Sequence, residues 1–120
     1  MKTMIDSTYF GSITISGKIY EHDVVIGLDG QVRKRMKELS RTKYGTSHIV
    51  SFEEANDLFE AGANQLIIGT GQTGYVKLSE EAADYFRDNE CSVLLFPTQQ
   101  AIEAWNAAKG PVIGLFHVTC

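Results

Sequence analysis

The residues best suited to chemistry fall in three places along the 120-residue chain: the run Gly69-Thr70-Gly71-Gln72-Thr73-Gly74 with Lys77 after it, the histidines His48 and His117, and Cys120. The glycine run matches G-x-G-x-x-G, a spacing that brings backbone amides to a dinucleotide pyrophosphate when a helix starts inside the glycines. Here Tyr75, Val76, Lys77 and Leu78 separate the glycines from the next helix cap, Ser79. The following strand also ends in Phe96-Pro97-Thr98 rather than in a ribose-binding acid. A Rossmann-type NAD or FAD site is therefore not expected, and no other cofactor is implied. Three glycines in six residues still need a reason, because each marks positive φ or a close backbone approach. Two stand side by side: a tight connector packed on a sheet rim, or a nest of amide and Thr donors for a phosphate or carboxylate, with Lys77 supplying charge.

His48 follows Thr46 and Ser47 in a polar stretch, and His117 precedes Cys120 by three positions. Neither spacing is that of a metal site, and in an ideal strand His117 and Cys120 face opposite sides, so no metal is expected. A nucleophilic Cys120 would need a histidine within hydrogen-bond reach and a lowered thiol pKa. The chain has no His-Glu-x-x-His, Gly-x-Ser-x-Gly or Walker pattern, and no catalytic residue is assigned. The candidate ligand-binding set is thus Thr46, His48, Gly69, Thr70, Gly71, Gln72, Thr73, Gly74, Lys77, His117 and Cys120.

The elements that must position these residues change period along the chain. From Tyr9 to Lys37 the pattern is that of β structure: Ile13 and Ile15 alternate with polar residues, Ser16-Gly17-Lys18 and Asp29-Gly30 offer turns, and Tyr20 to Ile26 is extended. Gln31 to Leu39 reads as a further strand and Ser40 to His48 as loop. Ser51-Phe52-Glu53-Glu54 is a capping-box pattern for a helix stopped at Gly62. Gln65 to Gly69 is a compact apolar strand, and Ser79 caps a helix with Ala82, Ala83 and Phe86 on one stripe. Val93 to Phe96 reads as a buried strand, Pro97-Thr98 opens a helix carrying Ala101, Trp105 and Ala108, and Val112 to Val118 is the last strand. Short apolar strands alternating with helices imply parallel βαβ units, so the fold class is α/β with an N-terminal antiparallel β meander. If the last strand runs parallel to Leu66–Gly69, Cys120 reaches the same sheet edge as the glycine loop.

At 43% hydrophobic and 22% charged residues, the chain suits one globular domain over 1–120. Its apolar runs, such as Val93 to Phe96, are far below the ~18 residues of a bilayer span. The stretch Met1 to Tyr9 lacks a secretory or transit pattern, which points to the cytoplasm. Cys91 and Cys120 are too few for a disulfide framework and are read as reduced thiols. Net charge is −4, yet Arg33, Lys34, Arg35, Lys37, Arg41 and Lys43 supply most of the eleven basic residues. That cluster would steer an anion, a nucleic acid or an acidic partner, or would guard an edge strand against pairing. The edge-strand reading is favoured, and nucleic acid is not expected, since Tyr44 is the one aromatic nearby.

Taken in order, Tyr44-Gly-Thr-Ser-His48, Leu66-Ile-Ile-Gly-Thr-Gly71, Pro97-Thr98 through Ala101-Ile102 to Asn106, and Leu115-Phe-His-Val-Thr-Cys120 resemble the small Mth-type domain family of unknown function. That family occurs in prokaryotes, in an adipogenesis-associated cytosolic protein of animals and in a mitochondrial complex I assembly factor. The resemblance spans nearly the whole chain, is nearest to the prokaryotic cytosolic branch, and implies a three-layer α/β fold with a mixed central sheet. It supplies no substrate or catalytic residue. The pattern residues that match are Gly45, Thr46, His48, Gly69, Gly71, Asn106, His117, Thr119 and Cys120. The leading expectation is a non-enzymatic binding, assembly or regulatory module with an unknown protein partner. The alternative is a small enzyme or anion-binding protein using the 69–74 loop with His48, His117 and Cys120. A homodimer through an exposed edge strand is compatible with both.

Overall fold

The structure, a computed structural model, describes residues 3–120. Met1 and Lys2, with which the amino-terminal targeting expectation begins, lie outside the described residues. The chain opens with β1 (Ile5–Tyr9), β2 (Ser12–Ile15) and β3 (Lys18–Tyr20), which pair antiparallel as a sheet of their own. The β2–β3 turn is a two-residue loop with Ser16 at φ +49 and Gly17 at φ +82, the handedness that matches strand twist in a hairpin. The run expected from Tyr20 to Ile26 is broken, because β4 (Val24–Ile26) leaves this sheet for a second one. The cause is burial: Ile13 and Ile15 need one covered face, whereas Val24, Val25 and Ile26 are buried in succession and need two.

β4 hairpins into β5 (Val32–Lys34), after which α1 (Glu38–Tyr44), β6 (Ile49–Val50) and α2 (Phe52–Leu58) lead to β7 (Gln65–Gly69). Then come β8 (Lys77–Leu78), α3 (Glu80–Asp88), β9 (Ser92–Phe96), α4 (Thr98–Ala107) and β10 (Val112–Phe116). The central sheet has the order β5-β4-β10-β7-β9, with β10, β7 and β9 parallel and β4 antiparallel to β10. β6 and β8 form a small parallel pair.

Side-chain alternation divides the sheet between two cores. Val25, Leu66, Ile68, Ile113 and Leu115 pack against Ala55, Leu58, Ala82 and Phe86 of α2 and α3. Val24, Ile26, Ile67, Val112 and Phe116 pack against the first sheet and against Ala101, Ile102 and Trp105 of α4. The result is three layers, each fully buried Leu or Ile contributing roughly 1.5–3 kcal/mol. Gly114 belongs to this packing: a Cβ there would lie 3.0 Å from Trp105 Cζ3.

Several boundaries differ from expectation for identifiable reasons. The strand read over Gln31–Leu39 stops at Lys34, and part of the expected loop is α1. This seven-residue helix has no side-chain N-cap and buries little besides Ser40, so it carries almost no sequence signature, but Gly45 at φ +73 ends it and donates to Arg41 O. α2 ends at Leu58, before Gly62. Its Ser51 caps the Glu54 amide, but the Glu54 carboxylate goes elsewhere, leaving the capping box half made. Val93–Phe96 is the outer strand of the sheet and only partly covered, with Leu95 exposed. In α3, Ala82 and Phe86 are buried while Ala83 faces out.

Candidate functional site

The site is built on a fully buried cation. Arg35 follows β5, where the sheet edge turns inward, and its guanidinium donates Nε to Glu54 Oε2 at 2.6 Å and Nη2 to Glu54 Oε1 at 3.0 Å. Nη2 also donates to Ser47 O at 2.7 Å, and Nη1 donates to Asp23 Oδ2 at 3.0 Å. Behind Glu54, Ser40 Oγ donates to Oε1 and accepts from the Ser51 amide, tying α1 to the start of α2. Two carboxylates and a carbonyl thus satisfy the fork of one arginine, the geometry for which a guanidinium is suited and an ammonium is not. Burial would lower the Arg35 pKa, but the bonds and charges of Glu54 and Asp23 raise it above its ordinary value.

Asp23, just before β4, carries the network toward solvent. Its Oδ1 accepts from the Val118 amide at 2.9 Å and its Oδ2 from His117 Nδ1 at 2.7 Å. Burial pushes the Asp23 carboxyl up, but the His117 hydrogen bond and charge, the Val118 amide and Arg35 prevail and hold it down at about 2. An ionised carboxylate only accepts, so Nδ1 of His117 bears the proton. In the neutral ring Nε2 is then the acceptor, and Thr119 Oγ1 donates to it at 3.2 Å. His117 itself is buried, whereas Thr119 is half-buried.

These groups open on a cleft of about 670 Å³ lined by residues that include His22, His48, His117, Lys34, Lys37 and Arg41. Glu21, Asp23, Thr119 and the Gly45–Thr46–Ser47 turn complete its polar wall, and Gly11 of the β1–β2 turn closes one side. His48 meets His117 edge to face, ring centroids 5.4 Å apart, and Tyr75 lies beyond it at 6.0 Å. Thr46 Oγ1 accepts from the His48 amide at 3.1 Å and so fixes the turn that presents the ring. His22 Nδ1 donates to Asp23 O at 2.9 Å. Three cations thus face two carboxylates, Glu21 and Asp23, and the second is already held by Arg35.

Of the residues expected from sequence, Thr46, His48 and His117 line this cleft, while Gly69, Thr70, Gly71, Gln72, Thr73, Gly74, Lys77 and Cys120 are not among its lining residues. The glycine loop does reach the carboxyl-terminal tail, because β10 and β7 are parallel. There it packs as a connector: a Cβ on Gly71, at φ +109, would sit 2.7 Å from Cys120 O, 2.8 Å from Thr119 O and 2.8 Å from His117 Cδ2. The amides of Thr70, Gly71 and Gln72 donate to Phe96 O, Thr98 Oγ1 and Thr119 O. That corrects the amide-nest expectation at those three positions, whose donors are already used inside the protein. The Lys77 amide donates to His48 O, so its backbone supports the cleft while its side chain is exposed.

Asp23, Arg35, Thr119 and His22 do not stand out in the sequence as site residues. The basic cluster was the available signal, and the structure divides it. Arg33 and Lys34 lie on the edge strand β5 as an edge guard would, Arg33 pairing with Asp57 at 2.9 Å. Arg35 is buried, and Lys34, Lys37 and Arg41 turn to the cleft. Among the described residues no three His, Cys, Asp or Glu side chains are gathered as metal ligands would be.

Comparison with known proteins places this arrangement. The model of the family described as "Protein of unknown function (DUF498/DUF598)" matches residues 5–111. The chain belongs to that family. A conserved hypothetical protein of Pyrococcus horikoshii, PH1505, is 34% identical, with 97% of this chain and 98% of that one covered and a TM-score of 0.88. The protein MT938 is 37% identical over 99% of this chain and 100% of its own, with a TM-score of 0.81. A Mth938-like domain from Bordetella pertussis shares the fold at 15% identity, covering 97% of this chain and 85% of that one with a TM-score of 0.65. The Mth-type resemblance therefore holds, and with it the three-layer arrangement. Family membership brings no activity with it.

Proposed function

We propose that the cleft binds a small anionic metabolite carrying a carboxylate or phosphate. The observation that supports this is the convergence of Lys34, Lys37 and Arg41 with three imidazoles on one concave surface that also holds Glu21 and Asp23, the second of them paired with Arg35 from behind. Cationic side chains around a concave wall concentrate an anion and give it charge-assisted hydrogen bonds. Free Cys91 and Cys120 suit a reducing compartment, and we assign the activity to the cytoplasm. Titration with inorganic phosphate, followed through the imidazole resonances of His22, His48 and His117, tests the reading. Saturable shifts that weaken with salt are expected; unmoved resonances at millimolar phosphate overturn it.

The assembly-module reading also has support. Tyr9 and Phe10 are about 70% exposed, at 71% and 69%, and immediately precede Gly11 of the cleft wall. An apolar hairpin tip beside a charged cleft suits a protein partner that touches both. Crosslinked capture from the native cell, lost in a Tyr9→Ser, Phe10→Ser double variant, is the expected result. Equal capture by the double variant overturns it.

A further inference from the structure

Within the cleft one set of contacts exceeds what anion binding needs. Thr119 Oγ1 lies 3.2 Å from His117 Nε2, His117 Nδ1 lies 2.7 Å from Asp23 Oδ2, and Asp23 is itself fixed by the Val118 amide at 2.9 Å and Arg35 Nη1 at 3.0 Å. We propose that Thr119, His117 and Asp23 form a nucleophile–base–orienter set that transfers an acyl group through an ester on Thr119. The roles follow from the atoms: a hydroxyl on the open side, an imidazole whose far nitrogen is the proton donor, and a buried carboxylate fixing that tautomer. Cys120 is the neighbour in sequence, but it is the Thr119 hydroxyl that hydrogen-bonds to Nε2.

The reaction balances without a redox partner. Thr119 Oγ attacks the carbonyl carbon of an activated acyl compound as its proton passes to His117 Nε2. The C–O bond to the leaving group breaks, and the leaving oxygen takes that proton. Water then attacks the Thr119 ester, His117 accepts the water's proton and returns it to Thr119 Oγ, and the carboxylic acid departs. The class of donor rests on the anion reading above: with Lys34, Lys37 and Arg41 on the same wall, an acyl phosphate or another anionic acyl compound is favoured over a neutral ester. Among titratable groups, Asp23 from the segment before β4 and His48 from the turn before β6 face His117, with Arg35 behind Asp23. Glu21, His22, Lys34, Lys37 and Arg41 line the remainder of the cleft. Asp23 acts through His117 and is a positioning residue.

The test uses two acetyl donors on the full chain, the anionic acetyl phosphate and the neutral 4-nitrophenyl acetate, with acid quench, peptide mass mapping and the rate of nitrophenolate release. Acetylation on the Thr119 peptide is expected in wild type and in Cys120→Ser, and is absent in Thr119→Val. Nitrophenolate release falls about 10²-fold or more in Thr119→Val and in His117→Gln and is retained in Thr119→Ser. Thr119→Val preserves side-chain shape, and its melting midpoint, compared with that of Thr119→Ser, separates lost chemistry from lost folding. Asp23→Asn shifts the pH profile of release, which a merely structural tie would leave unmoved. Release by Thr119→Val at the wild-type rate, or acetyl found on Cys120 or lysines alone, overturns the proposal. Phosphate binding without acylation of Thr119 by either donor defeats the triad and leaves the anion reading intact. Acylation by the neutral ester alone, with no phosphate binding, upholds the triad and defeats the anion reading.

Discussion

One polar network runs through this protein, and its two ends are built differently. At the inner end Arg35, Glu54, Ser40 and Ser51 are fully buried and partner one another. At the outer end Asp23 and His117 hand the network to the half-buried Thr119 at the wall of a cleft. The inner groups bond to one another, to the backbone carbonyls of Ser47 and Leu39 and to Asp23, and among the described residues no buried side-chain nitrogen or oxygen lacks a partner. Such an end fixes geometry and nothing else, because a ligand would have to displace a bond worth as much as the one it offers. The outer end keeps an imidazole nitrogen and a hydroxyl within reach of solvent, held in one orientation by the sealed part. Rigidity behind and accessibility in front are the conditions a binding or catalytic wall requires.

Breaking the sealed end should have the largest effect. Glu54→Gln leaves the buried Arg35 with one carboxylate instead of two and should lower unfolding free energy by about 3–5 kcal/mol, read from the urea midpoint. A loss below ~1 kcal/mol would mean that the inner end is wetter than its burial indicates and that the two ends do not differ. Next comes the contact that seats the tail. Gly71→Ala puts a methyl against Cys120 O, Thr119 O and His117 at positive φ, and should cost about 2–4 kcal/mol through strain and overpacking. Gly74→Ala, whose Cβ would have 3.6 Å to Thr70 Oγ1, should cost only about 1 kcal/mol. Equal effects at the two glycines would show that backbone conformation matters there and tail packing does not.

Acid probes the hinge between the two ends. The Asp23 carboxyl is held at about 2 in the folded protein against an ordinary 3.8. A depressed carboxylate adds stability that is fully present above its unfolded pKa and is lost as pH falls through the folded one. The wild type should therefore lose roughly 2 kcal/mol on this account between about pH 4 and pH 2. Urea midpoints across that window should fall less steeply for Asp23→Asn than for wild type. Parallel curves would indicate that Asp23 is not the group whose protonation loosens the cleft.

The difference between the two ends also explains what was legible beforehand. Periodicity carries the fold, since Leu66 to Ile68 and Val112 to Phe116 alternate between two cores and Ser51 and Ser79 cap helices where their types suggest. α1 escapes because a seven-residue helix with no side-chain cap leaves no period to read. The glycine loop attracts attention as a ligand site because glycine signals close approach, yet one spacing serves a pyrophosphate and a neighbouring strand's carbonyl equally well. His48 and His117 are recognisable as chemically able residues. Asp23, the partner of His117, is 94 positions from it in sequence, and only the antiparallel pairing of β4 with β10 brings the two together. No local pattern encodes a contact at that separation. Thr119 is legible only through the resemblance, as one matching letter among several.

The smallest effect on stability should carry the sharpest information about the cleft. Arg35 and Lys37 are two positions apart and bear the same charge, but one is sealed in the protein while the other faces the cavity with Arg41. Partly exposed charges contribute little to folding, so Lys37→Gln and Arg41→Gln should each leave unfolding free energy within about 0.5 kcal/mol of wild type. Each removes a charge–anion contact of about 1 kcal/mol, so the phosphate dissociation constant should rise about fivefold per substitution. The loss should shrink as salt screens the remaining cations. If instead both variants unfold early and bind phosphate as tightly as wild type, these cations brace the fold, and the two ends of the network serve the same purpose.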